Sequence, residues 1–225
     1  MFFPIRDENP TRSAPVVNLV LLAANVAVHL WTWSSVPQGV EWMSVAYGLT
    51  PSRLLADPSV EWLTVFTSMF MHGGWYHLFA NMWTLHIFGD NVEDAMGKAR
   101  YLGFYLLCGI AAAAAQVAID PHSAVPMVGA SGAIGGVVGG YLVLHPRAPI
   151  LAFNMLPLLW LFFGLVLVVP AWVIALVFLG QNLLLALQNA AGFGSGGIAF
   201  AAHLGGFFAG LILVPLLAQR RRVAR

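Results

Sequence analysis

Long apolar stretches fill most of this 225-residue chain. Hydrophobic residues make up 60% of it and charged residues only 8%, and the mean hydropathy is +0.81, so there are too few polar groups to cover a surface in water. A membrane-spanning helix needs about 20 mostly apolar residues. Six stretches meet that description: 16–33, 76–92, 101–119, 128–144, 161–187 and 198–217. The sequence therefore predicts a polytopic membrane protein.

The predicted fold class is all-α, a bundle of six transmembrane helices. Residues 1–15 are expected to form a short cytoplasmic N-terminal tail, and residues 16–217 the membrane domain. Residues 218–225 are expected to form a basic cytoplasmic C-terminal tail.

Two segments do not fit a simple sequence of spans. The connection 34–75 combines prolines and acids with Trp42 and Trp62, which favours a first outer loop that lies at the membrane interface. The apolar stretch 150–187 is about twice as long as one span. We expect its part before Pro170 to run along the interface or to tilt strongly.

Positive charge predicts the orientation, because short loops rich in Lys and Arg stay cytoplasmic. An even number of spans puts both termini on one side. With that side inside, nine of the ten basic residues are cytoplasmic and only Arg53 lies outside. No cleavable signal pattern precedes the first span, so this helix is expected to be its own insertion signal. We expect an integral protein of a bacterial inner membrane with both termini in the cytoplasm.

Polar residues recur near the beginning of the second, fourth and sixth spans, which all run from outside to inside. His77 and Asn81 lie in the second span, Ser131 in the fourth and His203 in the sixth. At a rise of 1.5 Å per residue, each lies about 5 to 10 Å below the start of its helix. These side chains are therefore expected to meet at one depth, in a site that opens to water on the outer side. Hydrolysis needs that water, which the bilayer interior lacks.

Small residues predict that the fourth and sixth spans touch. Glycines recur every four residues from Gly132 on the fourth span, and Gly206 and Gly210 share the face of the sixth span that carries His203. Such smooth faces allow backbone-to-backbone packing, which would bring Ser131 and His203 into hydrogen-bond range. Taken alone, the same spacing is also common in membrane helices that carry no site.

Ser131 and His203 together indicate nucleophilic catalysis. A neutral imidazole can accept the serine proton during attack on a carbonyl, although a membrane histidine can equally bond a backbone carbonyl. No acidic residue lies nearby in these spans, which favours a dyad over a triad. His77, Asn81 and the Ser131 N–H could stabilise the oxyanion, at about 3 to 4 kcal/mol for each donor. A polar clasp between helices is the alternative for His77 and Asn81.

The histidines also raise a metal site as an alternative. His72, His77 and His86 are close in sequence, but there is no His-Glu-x-x-His pattern, and His86 lies about 14 Å deeper than His77. We therefore expect neither a metal ion nor another cofactor. The net charge is near neutral, at +1, and does not indicate a surface that binds nucleic acid.

These motifs resemble those of the rhomboid intramembrane serine proteases, in their minimal six-span prokaryotic form. The motifs are Thr67-Ser68-Met69-Phe70-Met71-His72, Gly73-Gly74-Trp75, His77-Leu78-Phe79-Ala80-Asn81, Glu93 with Gly97, Gly129-Ala130-Ser131-Gly132 and Ala202-His203-Leu204-Gly205-Gly206. The resemblance covers nearly the whole chain. It implies that Ser131 is the nucleophile, His203 the general base and acid, and His77, Asn81 and the Ser131 amide the oxyanion site.

The same resemblance implies a protease that cleaves transmembrane helices of other proteins near their outer ends through an acyl-enzyme. It implies a cavity open to the outer side, lateral substrate entry from membrane lipid near the second and fifth spans, and a flexible cap over 187–197. Two positions depart from the family pattern. Leu63 and Thr64 replace a Trp-Arg pair of many relatives, and Gly135 replaces an aromatic residue that stacks on the histidine in some. A different contact is therefore expected to hold the ring of His203.

Two other functions remain open. A catalytically silent relative would bind or escort membrane helices, and a small transporter would place polar groups at the membrane midplane, often in an internal repeat. The presence of both Ser131 and His203 argues against the first, and the lack of a repeat argues against the second. The sequence predicts neither the physiological substrate nor the oligomeric state.

Overall fold

The computed structural model describes residues 2–35, 39–155, 160, 164–191 and 200–219. Helices dominate this part of the chain. They are α1 (Val16–Ser35), α2 (Gly39–Tyr47), α3 (Pro51–Ala56), α4 (Pro58–Glu61), α5 (Thr64–Thr67), α6 (Trp75–Met96), α7 (Lys98–Ile119), α8 (Ser131–Leu144), α9 (Ala171–Ala190) and α10 (Phe200–Leu217). The predicted helical, polytopic membrane bundle is confirmed. Most of the predicted cap, residues 192–197, and the basic residues 220–225 lie outside the described residues.

Four of these helices, α1, α7, α9 and α10, are long and apolar enough to cross a membrane. The second predicted span corresponds to α6, which carries acidic residues in its last turns, and the fourth corresponds to α8, which has only 14 residues. At 1.5 Å per residue α8 is about 21 Å long, shorter than the hydrocarbon core of about 30 Å. It begins at Ser131, and residues 132–141 are all buried.

Helices α8 and α10 pack backbone to backbone. A Cβ added at Gly206 would overlap the carbonyl group of Gly132 and lie 2.8 Å from its carbon. A Cβ added at Gly210 would overlap the carbonyl group of Gly136 in the same way. The close approach predicted from the glycine spacing is therefore present. It joins the two helices that carry the predicted dyad.

A small antiparallel sheet forms outside the bundle and was not predicted. Its strands, β1 (Phe2–Asp7), β2 (Pro149–Asn154) and β3 (Val166–Pro170), pair in the order β1-β2-β3. The first strand lies within the predicted N-terminal tail, and the other two lie in the apolar stretch expected to run along the interface. The fifth span consequently begins at Ala171, not at residue 161 as predicted.

Polar side chains attach the N-terminal segment to the bundle. Asp7 accepts hydrogen bonds from Asn91 Nδ2 at 2.7 Å and from the Tyr141 hydroxyl at 2.8 Å. Burial raises the pKa of Asp7 to about 6, although the hydrogen bond from Tyr141 acts in the opposite direction. At the start of α1, Glu93 accepts the backbone N–H of Asn18 at 2.7 Å. A carboxylate from α6 thus satisfies a helix N–H that has no partner within its own helix.

The predicted first outer loop folds largely into α2 to α5 and a 3-10 helix, Ser68–Phe70. Side-chain contacts join these short helices. Arg53 Nε donates to Glu61 Oε1 at 3.0 Å, and the Thr67 hydroxyl donates to the Tyr47 carbonyl at 2.7 Å. The first bond connects α3 to α4, and the second connects α5 to α2.

Candidate active site

The N-terminal ends of α6, α8 and α10 meet at a cavity of about 490 Å³. It is bordered by His77 from α6, Ser131 from α8 and His203 from α10. Part of its wall comes from Gly109 and Ala112 of α7, whose small size leaves space beside the polar groups. Three of the four predicted site residues therefore share one cavity.

A glycine turn places Ser131 at the first position of α8. Gly129 has a φ of +124°, a conformation that side chains disfavour, and its N–H donates to the Ser68 carbonyl at 2.9 Å. A Cβ at this position would lie 2.7 Å from the His77 ring and 3.5 Å from Ser131 Oγ. The glycine therefore turns the chain and lets the His77 ring approach the serine. The N–H groups of the first helical turn have no partner within the helix.

His203 bonds Ser131 through one ring nitrogen and Asn182 through the other. The distance between Ser131 Oγ and His203 Nε2 is 2.8 Å, and that between His203 Nδ1 and Asn182 Oδ1 is 2.7 Å. Both are hydrogen-bond distances. In this geometry the serine proton can move to Nε2 while Oγ attacks a carbonyl carbon.

His77 and Asn81 lie one turn apart on α6. His77 borders the cavity, whereas Asn81 is not among its lining residues and is 6% exposed. Within the described residues, Asn81 Nδ2 has no hydrogen-bond partner. Buried amide groups are normally bonded, so this N–H₂ group is available to an acceptor.

Of the three histidines considered as metal ligands, His72 and His77 have ring centroids 5.2 Å apart, whereas His86 is exposed on α6. In the part of the chain that the structure describes, no group of three His, Cys, Asp or Glu side chains could hold a metal ion.

Two residues of α9 contact His203, and the sequence analysis missed both. The Phe178 ring centroid lies 6.2 Å from that of His203, and its Cζ lies 3.4 Å from the position of a Cβ at Gly135. Asn182 is 4% exposed. The ring of His203 is thus held from α9, in a chain that lacks an aromatic residue at position 135. The detectable signal was a polar side chain inside an apolar span, which in membranes indicates a polar partner.

The chain is similar to a protein family model and to several known proteins. A family model described as Rhomboid domain matches residues 59–220. "Putative rhomboid protease YdcA" of Bacillus subtilis (strain 168) is 34% identical over 145 residues, 62% of this chain and 69% of the relative. Rhomboid protease GluP of the same organism is 37% identical over 98 residues, 44% of this chain and 18% of the relative.

A third relative, with a lower identity, covers about as much of this chain as YdcA does. Rhomboid protein 1, mitochondrial, of Saccharomyces cerevisiae is 32% identical over 160 residues, 67% of this chain and 40% of the relative. The chain thus spans less than half the length of GluP and of the yeast protein.

Proposed function

This chain belongs to the rhomboid family, and from that premise we propose that it is an intramembrane serine endopeptidase. Its substrates would be transmembrane helices of other proteins, cleaved near their outer ends. The hydrogen bond between Ser131 Oγ and His203 Nε2, at the cavity, carries the proposal. Relatives named as rhomboid proteases support it at the level of the family.

In the proposed reaction, Ser131 Oγ attacks the carbonyl carbon of the scissile peptide while its proton moves to His203 Nε2. The protonated imidazole then gives that proton to the leaving amine, and the remaining half of the substrate stays bound as an ester of Ser131. Water in the cavity attacks this ester with His203 again as the base. The acid product leaves and the serine hydroxyl is restored.

The oxyanion formed in each attack would accept hydrogen bonds from His77, Asn81 and the Ser131 N–H. Two observations support this assignment. The ring of His77 lies against Gly129, next to Ser131 Oγ, and Asn81 Nδ2 is buried without a partner among the described residues. Each preorganised donor of this kind contributes about 3 to 4 kcal/mol.

A substrate helix must unwind locally before it can react, because its backbone groups are hydrogen-bonded to one another. We therefore expect helix-weakening residues near the cleavage point. The positive-charge distribution favours an orientation with both termini in the cytoplasm of a bacterial cell and the cavity open to the outer side.

The test is cleavage of a tagged transmembrane substrate by the purified protein in liposomes. Ser131→Ala and His203→Ala should each abolish cleavage and labelling by a serine-directed fluorophosphonate. The matched controls are Ser44→Ala, whose hydroxyl bonds only a carbonyl within α2, and His86→Ala on the exposed face of α6. Both controls should cleave at the wild-type rate.

Either of two results would contradict the proposal. Cleavage that persists in Ser131→Ala would remove the assigned nucleophile. A folded wild-type protein that neither cleaves a panel of transmembrane substrates nor reacts with the fluorophosphonate would instead favour the silent, helix-binding relative.

A further inference from the structure

The side chain of Asn182 fixes which ring nitrogen of His203 carries a proton. Its Nδ2 donates to the Phe178 carbonyl, one turn earlier on α9, at 2.9 Å. This bond orients the amide so that Oδ1 faces His203 Nδ1 at 2.7 Å. A carbonyl oxygen only accepts hydrogen bonds, so Nδ1 must be the donor. Nε2 therefore keeps its lone pair and points it at the Ser131 hydroxyl.

We propose that Asn182 is a positioning residue of the active site, which holds His203 in the tautomer that can act as a base. This inference rests on the proposed function. Asn182 bonds the ring nitrogen opposite the one that bonds Ser131, so it acts through the imidazole. When the ring takes the serine proton, both N–H groups stay bonded, Nδ1–H to Asn182 and Nε2–H to the reacting groups. Cys-His-Asn proteases use the same combination of a base and a neutral amide.

A second asparagine in the same molecule makes the same internal bond without a bond to a histidine. Asn25, on α1, also donates Nδ2 to the carbonyl four residues earlier, at 2.8 Å. Its Oδ1 is buried and bonds no histidine within the described residues. Both asparagines thus donate to a carbonyl of their own helix, and Asn182 in addition bonds His203. The difference assigns a role to Asn182 beyond satisfying its own amide.

Within the described residues, no charged side chain bonds the ring of His203 in place of Asn182. α9 presents Asn182 and Phe178 to His203, and α8 presents Ser131. The titratable side chain that acts electrostatically on the ring is His77 of α6. Among these groups, Asn182 is the acceptor at Nδ1.

The first experiment compares two variants of Asn182 with a control variant in the liposome cleavage assay, with kcat, KM and pH dependence measured for each. Asn182→Leu has a similar size but no acceptor, and should lower kcat about 10- to 100-fold with a smaller change in KM. Asn182→Asp keeps an acceptor and should retain most of the rate. Its carboxylate would stabilise the protonated ring, so the acid limb of the pH profile should move to higher pH. Leu19→Ala, at a similarly exposed position on α1 and so away from the expected substrate entry, is the control and should match the wild type.

A merely structural asparagine would behave differently. Asn182→Leu would then lose thermal stability without a specific loss of kcat, and Asn182→Asp would leave the pH profile unchanged. Wild-type kcat in a folded Asn182→Leu protein would overturn the inference.

The second experiment reads the tautomer directly and does not need activity. Nitrogen-15 NMR of the histidine-labelled protein in detergent should show a protonated Nδ1 and an unprotonated Nε2 for His203, assigned by the signal missing in His203→Phe. Asn182→Leu should give a mixture of tautomers. A wild-type ring protonated at Nε2 would overturn the inference, whether or not the protein cleaves. If the NMR shows the expected tautomer but the protein has no Ser131-dependent cleavage, the inference about Asn182 stands and the proposed function is contradicted.

Discussion

Replacing Gly206 by alanine is expected to separate Ser131 from His203 without changing either residue. The added Cβ would lie 2.8 Å from the carbonyl carbon of Gly132 and closer still to its oxygen, whereas ordinary contacts begin at 3.4 Å. That carbonyl belongs to the backbone of α8 and cannot swing aside. The two helices must therefore move apart locally by at least about 0.6 Å.

This movement would lengthen the hydrogen bond between Ser131 and His203, on which the proposed chemistry depends. The 2.8 Å between Ser131 Oγ and His203 Nε2 would grow to about 3.4 Å or more, beyond the normal range for a hydroxyl hydrogen bond. A displacement of about 1 Å at reacting groups can lower a rate about 100-fold. We expect kcat to fall about 10- to 100-fold, with KM little changed. Overpacking should also destabilise the protein by about 1 to 3 kcal/mol.

Single-turnover cleavage in liposomes, together with thermal unfolding in detergent, measures both effects. Gly180→Ala on α9 is the matched control, because no atom lies within 4 Å of its added Cβ. Both alanines raise the helix propensity by about 1 kcal/mol, so that contribution cancels in the comparison. Equal rates and equal stabilities for Gly206→Ala and Gly180→Ala would refute the idea that the α8–α10 contact sets the distance between serine and histidine.

Three further predictions concern other polar groups. Asn81→Ala should lower kcat about 100- to 1,000-fold with little change in KM, because it removes a proposed oxyanion donor; an unchanged kcat would exclude that role. Asp7 binds a proton more tightly when folded than when unfolded, so the melting temperature should fall as pH rises from about 4 to about 6 and then level off. Asp7→Asn, which keeps an acceptor for Tyr141, should flatten that part of the profile, and an unchanged slope would assign it to another group. Glu93→Ala should lower the stability by about 1 to 2 kcal/mol in thermal unfolding, because the first N–H groups of α1, among them that of Asn18, lose their acceptor; stability equal to the wild type would show that water replaces the carboxylate.

The membrane bundle could be predicted because the bilayer restricts what a chain can do. Backbone groups in hydrocarbon must bond to one another, so a run of apolar residues is a helix or part of a barrel. Charge and apolar length then locate each span. The small sheet escaped prediction because Pro149–Asn154 and Val166–Pro170 are also apolar and are joined to the fifth span. Hydropathy alone does not distinguish a short paired strand from the start of a helix.

The candidate site was predictable to the extent that its residues follow helix geometry. His77, Ser131 and His203 each lie near the start of a parallel helix, and glycines on two of those helices indicate contact. Asn182 follows no such pattern, because its contact with His203 depends on how α9 leans against α10. That packing is set by many side chains together, and one polar residue in an apolar span shows only that a partner exists.

Different helices control the distance and the orientation within the proposed site. The glycine contacts between α8 and α10 fix how far Ser131 lies from His203, and these contacts are backbone to backbone. The orientation of the imidazole depends instead on Asn182, on α9, which is the least buried of the four apolar spans.

The two effects should therefore separate by experiment. Gly206→Ala should slow cleavage while the His203 tautomer stays as in the wild type, because the bond from Nδ1 to Asn182 does not cross the α8–α10 contact. Asn182→Leu should disturb the tautomer while the glycine packing, and hence most of the thermal stability, is preserved. If Gly206→Ala changed the tautomer as much as Asn182→Leu does, the orientation of the ring would depend on the α8–α10 contact as well as on α9, and the proposed separation of the two effects would be wrong.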